Sequence, residues 1–525
     1  MSDLFHLMNK DNIVLTFAPD ETGFSEDVSF VCKEVNGKTP YGFTDINAWI
    51  EQRKGLKHNR HLADIMRNYG CDNNLGFIKL THAVGINDTF WIKTESENIK
   101  WSDVSLYTNQ FSEVISKLAF EGMGVPDEEF STTSPELTCD GSFRKCFRKE
   151  AEIGEYGNNI FMYKRGGELG AGYEPYCEVL ASEIAGIITG NKSVHYNICS
   201  LHDKTASRCN VFSDESYGYA SFAKLSDKNI TVQGIFNRFH EMGMEEPFRE
   251  MLVIDALCFN QDRHMGNYGV LFNNDTLEIT GMAPVFDMNI SMLPYAKDED
   301  LDSVGDYLYD IGPRLGDDFT RIGQIAVFDS VRDRIKDIKD YSFKFRGDDT
   351  FTEARIKVLE GIIHKQAEAL LSHEKLYTRD VYFSQKEKDK EIANDKAKEA
   401  QGIQKDIEQK LPKEFDSGLF MSVCDDSNNA QFILENIDGQ ECIIDLVARD
   451  VAFISNGQNV SVGNIEKDAP AFCKDVLNVL SIINETYIQK GYGPFLGDDN
   501  PGGSPSAEND KDIPQTDGFD PGDED

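Results

Sequence analysis

The sequence predicts an α+β fold with a sheet-rich first half, a mainly helical second half and a small α+β appendage near the C-terminal end. Three observations carry this expectation. Short apolar runs bounded by Gly, Asn and Asp recur between residues 126 and 225, and longer runs with helical spacing dominate from 245 to 375. A highly charged stretch, 381–412, then separates these from a last group of short apolar segments.

The elements follow in chain order. In an N-terminal mixed region, 1–125, "FTDINAWIEQR" and "HLADIMRNYG" have helical spacing, the second closed by Gly70. "GFIKLTHAVGINDTFWIKTE" reads as strands around a polar turn at Asn87 and Asp88. From residue 126, "SPELTCDGSFRKCFRKEAEIGEYGNNIFMYKRG" predicts two strands joined by a Gly and Asn turn, and "EPYCEVLASEIAGIIT" a helix. Strands around "RCNVF" close the first half near residue 225. "EEPFREMLVIDALCF", "IAVFDSVRDRIKDIKDYSF" and "ARIKVLEGIIHKQAEALLSHEKL" make a helical half that ends near 380.

Residues 381–412 carry few apolar anchors and read as a solvated helical linker. In 413–490, "GLFMSV", "AQFILENI" and "ECIIDLV" read as strands and "APAFCKDVLNVLSIINETYIQ" as a helix. The acidic end, 491–525, is rich in Gly, Pro and Asp; it lacks the apolar surface needed to offset the entropy of ordering and is expected to be disordered.

Composition excludes several classes of function. A net charge of −38 is wrong for gripping phosphate backbones, so direct nucleic-acid binding is not expected, and a basic partner suits the chain better. No apolar run reaches the roughly 18 residues a membrane span requires, and the first residues lack the pattern of a signal peptide. The 11 cysteines are scattered with no C-x-x-C pair, which fits free thiols in a reducing cytoplasm.

The chemistry concentrates in "CFNQDRHMGNYGVLFNNDTLEITGMAPVFDMNISM", residues 258–292. Asp262 and Asn267 stand five apart, as do the base and metal-holding Asn of a protein kinase catalytic loop. Two extended segments around "NNDT" would fold back and deliver Asp287 beside them. Paired carboxylates repel unless a cation relieves them, so a divalent metal on phosphates would let Asp287 stay ionised and leave Asp262 free as a base. Lys164 ends the apolar strand "NIFMYKRG", and the following helix offers Glu174, Glu178 and Glu183 as ion-pair partners. The segment "TCDGSFRK" has one Gly, Gly141, where a protein kinase shows a Gly-rich loop. Arg263 reads as ambiguous, His264 as a packing and hydrogen-bonding group, and Asp255 as a residue that fixes the loop or simply faces solvent.

These motifs, taken in order, resemble the HipA-like Ser/Thr kinases. The ordered set is Ser134-Pro135-Glu136, Thr138, Asp140-Gly141, Lys145-Cys146, Lys164, Glu174 with Leu180-Ala181, Asn260 with Asp262-Arg263-His264 and Asn267, then Pro284 and Phe286-Asp287. The resemblance spans roughly residues 80–375. It implies a bilobal kinase-like fold that uses ATP and Mg²⁺, with Asp262 as base, Asn267 and Asp287 as metal ligands and Lys164 on the phosphates. Asp140, Gly141, Ser142 and Glu174 would line the nucleotide site, and Thr138 or Ser142 would be autophosphorylation sites. It further implies a protein substrate in translation, such as an aminoacyl-tRNA synthetase, and a DNA-binding antitoxin partner. A lipid kinase and a pseudokinase scaffold share enough of these residues to stand as alternatives.

Overall fold

The computed structural model describes residues 4–20, 28–55, 60–67, 71, 73–122, 131–139, 141–167, 170–226, 230–302 and 304–372, and five strands between 420 and 464. Two compact units divide the chain, Met1–Tyr382 and Phe383–Asp525. The fold is α+β, with antiparallel sheets and helices.

The first unit opens on β1 (Phe5–Asn9), β2 (Asn12–Pro19) and β3 (Phe30–Val35). Helices α1 (Ile46–Arg53), α2 (Arg60–Arg67) and α3 (Asn74–Thr81) precede β4 (Phe90–Thr94), which completes a sheet of order β3-β2-β1-β4. Phe5, Phe17 and Phe30 meet at its core with ring centroids 5.2 to 5.6 Å apart, within the favourable range for aromatic pairs. "GFIKLT", expected as a strand, is helical in α3. Asn73 caps it by accepting from Gly76 N at 2.8 Å, and Asn74, Phe77, Ile78 and Thr81 are buried at helical spacing. A local cap and a period of 3.6 outweigh the strand propensity of the apolar run. Asp88 is no simple turn residue; its carboxylate accepts from Phe90 N and pairs with buried Arg53 at 2.5 Å.

Two short helices follow, α4 (Trp101–Val104) and α5 (Glu113–Glu121). The second sheet holds β5 (Lys145–Lys149), β6 (Ile160–Arg165), β7 (Tyr196–Leu201) and β8 (Lys204–Asn210) in order β5-β6-β8-β7. Between β6 and β7 runs α6 (Glu174–Thr189), closed by Gly190 in the left-handed region. It packs on β7 and β8 and against helices at 245–258 and 329–338, so most of its residues are buried.

A third sheet, order β11-β10-β9, combines β9 (Tyr217–Ser221) with the hairpin β10 (Gly269–Asn273) and β11 (Ile279–Met282). Between β9 and that hairpin come α7 (Val232–Glu241) and α8 (Glu245–Cys258). The N-terminal region grips the hairpin tip: Asn9 Nδ2 donates to Asn274 O at 2.7 Å, Tyr41 OH to Leu277 O at 2.5 Å, and Lys10 pairs with Asp275. Helices α9 (Asp298–Asp302), α10 (Val304–Tyr309), α11 (Phe319–Ala326), α12 (Asp329–Ile338) and α13 (Glu353–Leu371) complete the unit. Asp318 and Thr352 cap α11 and α13.

The described part of the second unit is an antiparallel meander, β12 (Phe420–Asp426), β13 (Asn429–Glu435), β14 (Glu441–Asp445), β15 (Asp450–Ser455) and β16 (Gln458–Asn464). Its first three strands coincide with those read from the sequence; β15 and β16 add to them. The expected linker, the helix of 470–490 and the acidic tail lie outside the described residues.

Candidate active site

β6 presents Lys164 from the middle of a sheet, and register decides its neighbours. Lys145 stands directly opposite it on β5, and Ser207 opposite on β8. The Lys164 ammonium is buried and bonds two carboxylates, Glu178 Oε1 at 2.5 Å and Asp287 Oδ1 at 2.7 Å. Ser207 Oγ donates to the second oxygen of Glu178 at 2.5 Å, and Met288 N to Oε1 at 3.3 Å. Burial disfavours the lysine charge, but Asp287 and Glu178 more than restore it and hold its pKa above the ordinary value.

The choice among the three helix carboxylates, which the sequence leaves open, is made by this geometry. Glu178 is the helix carboxylate that reaches Lys164, one turn further along α6. Glu174 lies at the helix start against Gly166 and Gly167, near Tyr295. Burial, with Glu174 and Asp262 nearby, pushes that phenol up to about 12. Glu183 serves elsewhere, accepting from Tyr341 OH, Lys344 N and Phe345 N and so pinning the segment before α13.

Asp287 has φ of 55°, a left-handed conformation that a residue other than Gly adopts only when its surroundings impose it. Three successive backbone groups are clamped here. Phe286 O accepts from Arg263 Nη1 at 2.6 Å, Asp287 N donates to Tyr196 OH at 3.2 Å, and Met288 N donates to Glu178. The clamp turns the Asp287 carboxylate onto Lys164. Burial works to raise the Asp287 pKa, but the Lys164 ammonium prevails, with Lys145 and Arg263 adding to it, and lowers it to about 2.

The catalytic-loop candidates come from the end of α8. Phe259, left-handed at φ 54°, ends the helix, and Asn260 donates its amide to Asp255 Oδ1 at 2.8 Å. Arg263 is buried and bonds both oxygens of Asp255, while its Nη1 reaches Asn267 O at 2.9 Å as well as Phe286 O. One guanidinium therefore ties α8, the Asn267 segment and the Asp287 turn together. Asn267 Nδ2 donates to Asp262 O at 3.1 Å, which turns the carbonyl oxygen of the same amide the other way. The Asp262 carboxylate is partly exposed and accepts from Arg314 Nη2 at 3.1 Å. His264 is exposed and does not pack: its ring nitrogen accepts from Gly266 N and its backbone closes the turn onto Asp262 and Asn267.

The loop before β5 is braced from below. Glu136 is buried and accepts from Phe147 N at 2.7 Å and from the Ser134 hydroxyl. Burial pushes its carboxyl up, and those donors oppose the shift. Thr138 Oγ1 donates to Val84 O at 2.7 Å, whereas Ser142 is exposed. Gly141 adopts φ of 122°, and a Cβ there would collide with the Lys145 ammonium. The backbone at Gly141 and the Lys145 ammonium thus lie close together. Asp140 lies outside the described residues.

Sequence reasoning gave no role to Lys145, Tyr196 or Arg314. Strand pairing would have exposed Lys145, as the residue facing Lys164; Arg314, 52 residues from its partner, has no local signal.

No protein-family model and no curated protein matches the chain. Among solved structures, it is similar to the Helicobacter pylori proinflammatory kinase CtkA, at 15% identity and a TM-score of 0.32, over 43% of this chain and 93% of that one. It is also similar to Shewanella oneidensis HipA, from a complex with HipB and operator DNA, at 10% identity and a TM-score of 0.38, over 71% of this chain and 100% of that one. At such values the chemistry of the site rests on its own side chains. Among the described residues, no helix is long and apolar enough to cross a membrane.

Proposed function

We propose that the chain is a kinase of HipA-like type that transfers the γ-phosphoryl group of ATP to a serine or threonine hydroxyl of a protein. One observation carries this reading: a buried lysine holds a helix glutamate and Asp287 together, while Arg263 binds the backbone of the Asp287 turn to that of Asn267. Phosphoryl transfer needs this kind of convergence, because positioning and charge stabilisation supply most of the catalysis.

The donor set fits Mg²⁺. Asp287 offers an ionised carboxylate and Asn267 an amide oxygen, and no group of three or more His, Cys, Asp or Glu among the described residues forms a closed cage. A small hard cation takes one or two protein oxygens and completes its shell with phosphates and water. When bound, it would neutralise charge on the phosphate oxygens. Lys145 and Lys164, opposite each other on β5 and β6, would hold the phosphates, and the bare backbone of Gly141 leaves room for the Lys145 ammonium. The acceptor oxygen forms its bond to the γ-phosphorus, its proton passes to Asp262, and the bond to the bridging oxygen breaks with its electrons leaving on ADP. By the sequence resemblance, the acceptor would be a translation component such as an aminoacyl-tRNA synthetase, and a DNA-binding antitoxin would be a partner.

The test is labelled ATP with a bacterial lysate, run beside nucleotide-binding measurements with and without Mg²⁺. The parent should label itself and a few lysate bands. Asp262→Asn should keep Mg²⁺-dependent nucleotide binding and lose transfer by about 10² to 10⁴, and Asp287→Asn should lose both. Equal labelling by all three proteins sinks the proposal.

A further inference from the structure

The pair between Arg314 and Asp262 differs in kind from two buried ion pairs of the candidate site. Lys164 with Glu178 and Arg263 with Asp255 are buried, but the Arg314 side chain is 60% exposed and that of Asp262 36%. A single nitrogen-to-oxygen contact at 3.1 Å joins them. An exposed pair held by one contact is weak and exchanges readily.

The backbone that carries Arg314 is firmly placed. Leu315 is buried beside it, Gly316 takes φ of 107° where a Cβ would press on Ile322, and Asp318 caps α11 by accepting from Arg321 N at 2.8 Å. The loop is anchored, and the guanidinium extends from it to Asp262. No role for this arginine follows from packing, since nothing in the core depends on it.

The geometry points to Arg314 as a phosphoryl-contacting residue, parked on Asp262 until nucleotide arrives. This rests on the kinase reading. Phosphates held by Lys145 and Lys164, with metal on Asp287 and Asn267, would end in front of Asp262, where the guanidinium already waits. A planar guanidinium binds two phosphate oxygens at once and so prefers the phosphoryl group to one exposed carboxylate oxygen. Its departure has two consequences. It stabilises charge on the transferring group, and it uncovers Asp262 Oδ1 to accept the proton of the acceptor hydroxyl. The base is thereby exposed when there is a phosphoryl group to move.

The test compares the parent with Arg314→Ala and Arg314→Lys, using Mg²⁺ with ADP and Mg²⁺ with a non-hydrolysable ATP analogue, together with turnover at saturating ATP. For Arg314→Ala, binding of the analogue should weaken about tenfold and ADP binding should stay within about twofold, because only the γ-phosphoryl group meets the arginine. Turnover should fall by about 10² or more, with partial recovery in Arg314→Lys. The melting temperature should not move, as expected for an exposed side chain. Unchanged analogue binding with turnover within about threefold of the parent overturns the assignment. So does a rise in KM for the acceptor alone, which would make Arg314 a substrate-recognition residue. Failure of the parent to bind either nucleotide with Mg²⁺ is a separate result and removes the kinase reading, and this assignment with it.

Discussion

Asp255 and Arg263 lie side by side in the interior, Nε 2.9 Å from Oδ2 and Nη2 3.0 Å from Oδ1, and the remaining nitrogen, Nη1, donates to both Asn267 O and Phe286 O. The Asn267 and Asp287 segments are thus drawn together on a single nitrogen of one rigid planar group. Helix α8 supplies the anchor, and two loops hang from it.

Replacing Arg263 with Lys should be far from conservative. A lysine has no fork, so it cannot bond Asp255 twice and reach both loops. Lysine keeps the charge facing Asp255, but the lost bonds leave buried acceptors unsatisfied, at about 1 to 3 kcal/mol. Urea unfolding should register a loss of that order, with Mg²⁺-dependent nucleotide binding weakened in parallel. A change below about 1 kcal/mol would mean that Arg263 does not hold the loops.

Glu178→Gln and Glu174→Gln should separate cleanly. The first removes a charge that faces Lys164 and turns an amide donor toward an ammonium or toward Ser207, at a cost of about 3 kcal/mol. The second leaves the lysine pair untouched. Unfolding midpoints and nucleotide affinity should both fall for Glu178→Gln, and affinity should hold within about threefold for Glu174→Gln. Equal losses would contradict the assignment of Glu178.

Acid should loosen the site within a defined window. Asp287 is held down to about 2 by Lys164, against about 3.9 in an unfolded chain. Between those values the unfolded state binds more protons, so stability rises with pH. The contribution is complete above about pH 4 and disappears as pH falls toward 2. Allowing for solvent at a third-exposed side chain, it amounts to about 1 to 2 kcal/mol. Asp287→Asn should flatten this part of the stability profile, and an unchanged slope would rule the pairing out as a stabilising contact.

Self-labelling, where it occurs, should fall on Ser142 and not on Thr138. The threonine hydroxyl is committed to Val84 O, and the serine is exposed in the loop beside Gly141. Mass spectrometry of the labelled protein locates the phosphate, and Ser142→Ala should remove it. Thr138→Val should instead cost about 1 kcal/mol of stability from the lost hydrogen bond. Phosphate found on Thr138 would show that the loop unpacks before reaction.

The outline of the site was legible because its information is local. Asp262 and Asn267 belong to one loop, and "NNDT" between two extended runs announces the hairpin that carries the chain back to Asp287. Caps at Asp45, Ser112, Thr231 and Thr352 mark helix starts in the same way. The misreading of "GFIKLT" has a local cause too: its cap lies just ahead of the apolar run, and without it the run has the composition of a strand.

The sequence by itself determined the α+β alternation, the strand that carries Lys164, and the spacing of Asp262 and Asn267 in one loop. Only the tertiary structure decided which of three glutamates meets the lysine, that Lys145 stands opposite it, and that Arg314 covers Asp262. Turns, caps and periodicity act over a few residues and are written in the order of the chain. The height of α6 against β6, the register of β5 and the reach of a loop 52 residues away depend on how whole elements pack, and packing is a property of the assembled core.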